Sequence, residues 1–160
     1  MFRAADFDES EQYRYRLVRS WNPVDPRVAF VLLNPSTADS SADDPTVRRC
    51  IVLARGWGFG SLEVVNLFAW RSPDPRALRQ AVAPVGPAND HWLCRSATAC
   101  SAIVVGWGNH GTLHRRDTEV IALLRSIQAV PTCLGMTASG QPRHPLYLRH
   151  DTPRQPFSLE

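Results

Sequence analysis

Three side chains stand where this sequence could do chemistry: Asn34, Asn66 and His144. Asn34 closes the apolar run VAFVLL and precedes Pro35, which keeps it extended and so fixes the direction of its side chain. A carboxamide held that way can orient a water molecule or a substrate carbonyl, but it cannot serve as a general base. Asn-Pro also makes an ordinary turn. Ser36 and Thr37 follow, able to cap a helix or bind phosphate, or simply to meet solvent. Asn66 ends the run LEVVN, where its donor and acceptor could read the edge of a base, or satisfy loop backbone. Phe68 and Trp70 alternate after it and could stack on a flat ring, packing in a core being their other role. His144 lies between Arg143 and Pro145, in a loop rather than on an apolar face. Its imidazole could donate a hydrogen bond to charge developing on an oxygen, an effect worth about 3 kcal/mol.

Other chemistries have less to stand on. All 18 basic residues are arginine, so a lysine Schiff base is excluded. Cys50, Cys94, Cys100 and Cys133 form no close pair of the kind that zinc or iron-sulfur sites use, and read as free, buried thiols. Asp39, Asp43 and Asp44 cluster, but Asp44 is accounted for as a helix cap, so neither metal nor cofactor is expected. His110 and His114 flank the start of a helix and read as solvent-exposed.

The elements that must position these residues follow from the apolar pattern. Val28 to Leu33 is a continuous apolar run, as in a strand covered on both faces, and Asp44-Pro45 opens a helix from Thr46 to Trp57. In that helix Val47, Ile51, Val52 and Ala54 form the apolar stripe. Leu62 to Leu67 is a second strand, completing a crossover unit that favours parallel pairing. A short helix opens at Pro75 and another runs from Pro87 to about Thr98. Ala102 to Val105 is a third strand, Arg115 to Ile127 a helix with a broad apolar face, and Val130 to Leu134 a fourth strand. Alternation over Tyr13 to Ser20 reads as an edge strand, residues 1–12 as a surface or frayed segment, and Leu146 to Leu148 as a short strand.

The expected fold is therefore a three-layer α/β sandwich, a single domain over residues 1–160, with a mainly parallel four-stranded central sheet plus an edge strand. A chain of 160 residues buries roughly 70 % of its unfolded surface, enough for such a fold. If the strands are parallel, Asn34-Pro35, Asn66 to Phe68, Gly106 to Gly108 and the loop of His144 share one rim, where α/β folds bind ligands. The net charge of +3 permits a nucleic-acid partner without requiring one. No run suits a signal peptide or a membrane span, and the expected location is a reducing cytoplasm.

Four segments, LNPSTA, DDPTVRRC, VVNLFAWR and PRHPLYL, resemble an uncharacterised bacterial family, domain of unknown function 1643. A more distant resemblance is to the uracil-DNA glycosylase superfamily. Leu32 to Ser36 is similar to its water-activating motif, in the variant carrying Asn-Pro. Val64 to Asn66 is similar to its base-reading strand end, AIVVGWG to its third strand, and His144 to Leu148 to its histidine-proline motif. This resemblance implies a uracil-DNA glycosylase-like fold and hydrolysis of an N-glycosidic bond on a nucleotide flipped out of its helix. It implies that Asn34 holds the water and that Asn66, with Pro35 and Phe68, binds the base. His144 would stabilise the departing base. Ser36, Thr37, Arg143, Leu146 and Tyr147 would touch nucleic acid, with Leu146 or Tyr147 filling the emptied stack. The implied partner is nucleic acid, DNA before RNA, or a nucleotide, and the protein is expected to be a monomer without membrane attachment. Two other readings stand beside this one: a nucleotide or nucleic-acid binding module without chemistry, and a hydrolase of free nucleosides or nucleotides.

Overall fold

The structure is a computed structural model that describes residues 1–160. In chain order the strands are β1 (Phe2–Phe7), β2 (Arg14–Ser20), β3 (Arg27–Leu32), β4 (Ser61–Asn66), β5 (Ala102–Val105), β6 (Thr132–Cys133) and β7 (Gln155–Pro156). Four α-helices join them: α1 (Pro45–Gly56), α2 (Pro75–Leu78), α3 (Asn89–Ala99) and α4 (Arg116–Ser126). The strands form one sheet in the order β1-β2-β4-β3-β5-β6-β7. Its centre, β4-β3-β5-β6, is wholly parallel, with Leu32 opposite Asn66 and Val31 opposite Val105.

Period-two alternation sends neighbouring residues of β3 into separate cores. Phe30 and Leu32 pack with Val47, Ile51 and Leu53 of α1 on one face. Val31 and Leu33 pack with Leu78, Leu93, Val120 and Leu124 from the other three helices on the opposite face. The result is three layers. The chain leaves β3 towards β4 and leaves β5 towards β6, in opposite directions, so the loops beyond β3 and β5 part and open a crevice between them.

Several expectations are corrected. The sheet has seven strands, larger than four plus an edge. Residues 2–7 are not frayed: they pair antiparallel with β2 from Phe2 opposite Ser20 to Phe7 opposite Arg14, supplying partners for an otherwise open row of backbone groups. It follows that β2 is no edge strand, and it is buried on both faces. Its Arg14 and Arg19 are among the most buried side chains of the molecule: loop carbonyls take the Arg19 guanidinium and one end of Arg14, whose Nε is left without a partner. The fourth parallel strand shrinks to Thr132–Cys133, since Pro131 has no N–H to give the ladder and Val130 is exposed. Val52 points out from α1 to solvent. Leu146 to Leu148 is not a strand: Pro145–Tyr147 is a single 3₁₀ turn opened by proline. The four cysteines are free, Cys50 and Cys133 buried and the other two half-buried.

Candidate functional site

The crevice beyond β3 and β5 holds a half-open cavity of about 580 Å³. One wall is the β3–α1 loop, with Asn34, Ser36 and Asp44; α1 adds Pro45 and Thr46. The β4–α2 loop contributes Ser72 and Pro73, and the exit of β5 contributes Trp107 to His110. The last wall is the segment of His144, Leu146 and Tyr147.

The β3–α1 loop is fixed from below by the two buried arginines of β2. Arg14 donates to the carbonyl of Ala38 at 3.0 Å. Arg19 donates to the carbonyls of Asp39 and Ala42 and to the Asp43 carboxylate at 2.7 Å. Asp44 then begins α1, its two oxygens accepting from the backbone N–H of Val47 and of Ala38. Asp39 folds the loop tip back on itself, and the N–H groups of Ser41 and Ala42 hold its carboxyl below the usual range. With Asp43 and Asp44 so engaged, the acidic cluster is a loop scaffold.

Within this frame Asn34 donates its amide to two carbonyls, Pro35 at 3.1 Å and Ser72 at 2.9 Å. Both hydrogens being used, Oδ1 is left as an acceptor on the cavity wall. His144 is brought to the same cavity by a segment threaded along the exit of β5. There the N–H of Gly108 donates to Pro142 and that of Arg143 donates to Gly135. Gly106 permits the approach, since a Cβ on it would lie 2.9 Å from the carbonyl oxygen of Arg143. The Nδ1 atom of His144 accepts from the N–H of Leu146 at 3.2 Å, which assigns the neutral ring a proton on Nε2. Burial pushes its pKa down to about 4, against the opposing pull of the Asp44 carboxylate. The cavity therefore faces a neutral imidazole that donates, a carboxamide that accepts, and one buried carboxylate.

That depressed pKa has a testable sign. Between about pH 6.5 and pH 4 the unfolded chain binds a proton that folded His144 does not, so stability falls as the pH drops through this window. Urea denaturation at pH 7 and pH 5 measures it. His144→Asn keeps an acceptor for the Leu146 N–H and cannot titrate, so it should lose less stability between the two pH values than the unaltered protein.

The structure sorts the expected site residues. Asn34, Ser36, His144, Leu146 and Tyr147 line the cavity together, and Tyr147 is 91 % exposed at its mouth. Asn66 does not line it. Only 1 % exposed, Asn66 ends β4 with its Oδ1 buried and without a partner, while its carbonyl accepts from Asn89. Phe68 is fully buried in the core, its ring at 75° to that of His114, so it offers no face to a ligand. Pro35 is buried and helps to hold Asn34 through its carbonyl. Thr37 is exposed in a shallow neighbouring depression with Ser36 and Arg71, and Arg143 is exposed outside the cavity. His110 and His114 are exposed, as expected.

Asp44 is the residue that sequence reasoning undervalued. Its Asp-Pro signature accounts for it as a cap and says nothing of the cavity it also faces. The carbonyl of Ser72 could not be found at all, since no side chain marks it.

A family model described as "Protein of unknown function (DUF1643)" matches residues 14–146, a span that carries every wall of the cavity and omits β1 and Tyr147. No curated protein and no solved structure matches the chain.

Proposed function

The chain belongs to the family described as protein of unknown function DUF1643, and from the cavity we propose that it hydrolyses the N-glycosidic bond of a damaged or modified base flipped out of nucleic acid. The observation that carries this reading is the meeting of Asn34 and His144, distant in the chain, in the lining of one cavity of about 580 Å³, room enough for a flat heterocycle. The distant likeness of LLNPS and HPLYL to uracil-DNA glycosylase motifs supports it.

In this reading the bond between base and sugar breaks with its electron pair going to the base. The Nε2–H of His144 donates to the base oxygen on which that charge collects, and a neutral donor suits a product that leaves as an anion. The sugar left behind carries positive charge, which the Asp44 carboxylate stabilises across the cavity. A water molecule accepting nothing but orientation from Asn34 Oδ1 adds to the sugar carbon and releases its proton to the base anion or to solvent, so Asn34 never has to take one. Leu146 and the exposed Tyr147 stand at the mouth, where a flipped nucleotide leaves its gap.

Purified protein incubated with duplexes and single strands bearing a panel of modified bases is expected to release free base and leave abasic sites cleavable by alkali. If every substrate survives intact, the glycosylase reading fails. A second reading, a nucleotide or nucleic-acid binding module without chemistry, draws on the placement of Asn66 and Phe68 outside the cavity. Saturable oligonucleotide binding without base release would favour it.

A further inference from the structure

We propose that the polar depression adjoining the cavity is a subsite for a phosphate, the one attached to the nucleotide whose ring occupies the cavity; the assignment rests on the reading above. The depression has a volume of about 340 Å³ and shares Pro75, Asn109 and His110 with the main cavity, so one ligand can fill both.

Apart from Pro75 and Leu113, its lining consists of side chains that can donate hydrogen bonds. Arg79 is exposed on the turn after α2 and makes no ion pair. His110 and His114 present exposed imidazoles. The Oδ1 of Asn109 accepts from the Thr137 hydroxyl at 2.6 Å, which leaves its amide as a donor. No carboxylate lines the depression. The nearest one by its influence is Asp74, whose field reaches His110, but it caps α2 and is held by the guanidinium of Arg76. A wall with cationic and neutral donors and no anion selects an anion, and a guanidinium fork matches phosphate oxygens.

The backbone is committed to this arrangement. His114 and Arg115 adopt consecutive left-handed conformations, with φ of 54° and 56°. Such conformations are costly for residues with a Cβ and concentrate where a ligand is held. Here His114 stands at the rim, its ring at 75° to that of Phe68 with centroids 6.4 Å apart.

Two sources could supply the phosphate, a polynucleotide backbone or a free nucleotide. The test titrates inorganic phosphate, a nucleoside 5′-monophosphate and a single-stranded tetranucleotide into the isotopically labelled full chain, following the imidazole resonances of His110 and His114. All three should shift the His114 resonance, which belongs to the depression alone, and an unphosphorylated nucleoside should leave His114 unmoved even where its ring reaches His110. Arg79→Ala, an exposed position that does not threaten folding, should weaken the response at least about tenfold, the effect of one charged contact. Tighter binding of the tetranucleotide than of the monophosphate assigns the site to a polynucleotide, and the reverse order assigns it to a free nucleotide. Absence of any phosphate-dependent shift, or an Arg79→Ala protein that responds unchanged, overturns the proposal. Base release plays no part in this readout. A subsite that binds phosphate in a protein that releases no base survives the loss of the glycosylase reading, and base release without phosphate shifts removes the subsite alone.

Discussion

Replacing His144 by alanine is expected to lower the rate of base release by about 10²- to 10³-fold, the usual cost of removing one preorganised donor from a developing anion. The effect should fall on kcat more than on KM, because the charge that Nε2–H meets is absent from the bound substrate. Single-turnover release of labelled base checks this directly. Asn34→Ala should lose activity as well, through a misplaced water. Asn34→Asp is the sharper variant: a carboxylate there would face the carbonyl oxygens of Pro35 and Ser72, which now accept from the Asn34 amide. It should loosen the loop rather than supply a base. A His144→Ala protein with undiminished base release would remove His144 from the mechanism.

The largest effect on stability is expected from Arg19→Ala, at about 3–5 kcal/mol. This side chain is fully buried, and its loss strands the Asp43 carboxylate and the carbonyls of Val18, Asp39 and Ala42. For a domain of this length each kcal/mol lowers Tm by roughly 2–4 °C, so thermal unfolding should show a drop on the order of 10 °C. The exposed pair of Arg149 with Asp151 provides the contrast, and Arg149→Ala should change stability by less than about 1 kcal/mol. Because the Arg19 clamp holds the loop that carries Asn34 and Asp44, base release by the Arg19→Ala protein should fail at temperatures below its own Tm.

Much of the sheet was legible because a parallel strand buried on both faces is written as an unbroken apolar run. VAFVLL and AIVV are such runs, LEVVNL is one broken by Glu63 and Asn66, and Asp44-Pro45 announces α1 by a local rule. Where the reading failed, the decisive interactions were distant in sequence. Strict alternation over Tyr13 to Ser20 puts Arg14 and Arg19 on opposite faces of an edge strand, and nothing near them records that a loop some twenty residues later wraps its carbonyls around both. FRAADF carries no strand pattern of its own and is extended because β2 needs a neighbour. The candidate site divides in the same way. Asn34 and His144 could be found because each sits beside a proline that restricts its backbone. The direction of Asn66 at the end of β4 depends on which face of the sheet that residue meets, and no residue near it in the sequence records that.

The close passage of the final segment over Gly106 has a consequence for how the protein is made. Synthesis runs from Asn34 towards His144 at about 5–20 residues per second, so on the order of ten seconds separates the emergence of the two residues from the ribosome. Throughout that interval the nascent polypeptide has the Asn34 side of the cleft and lacks the His144 side, so the cleft is complete only once the last turn is laid down.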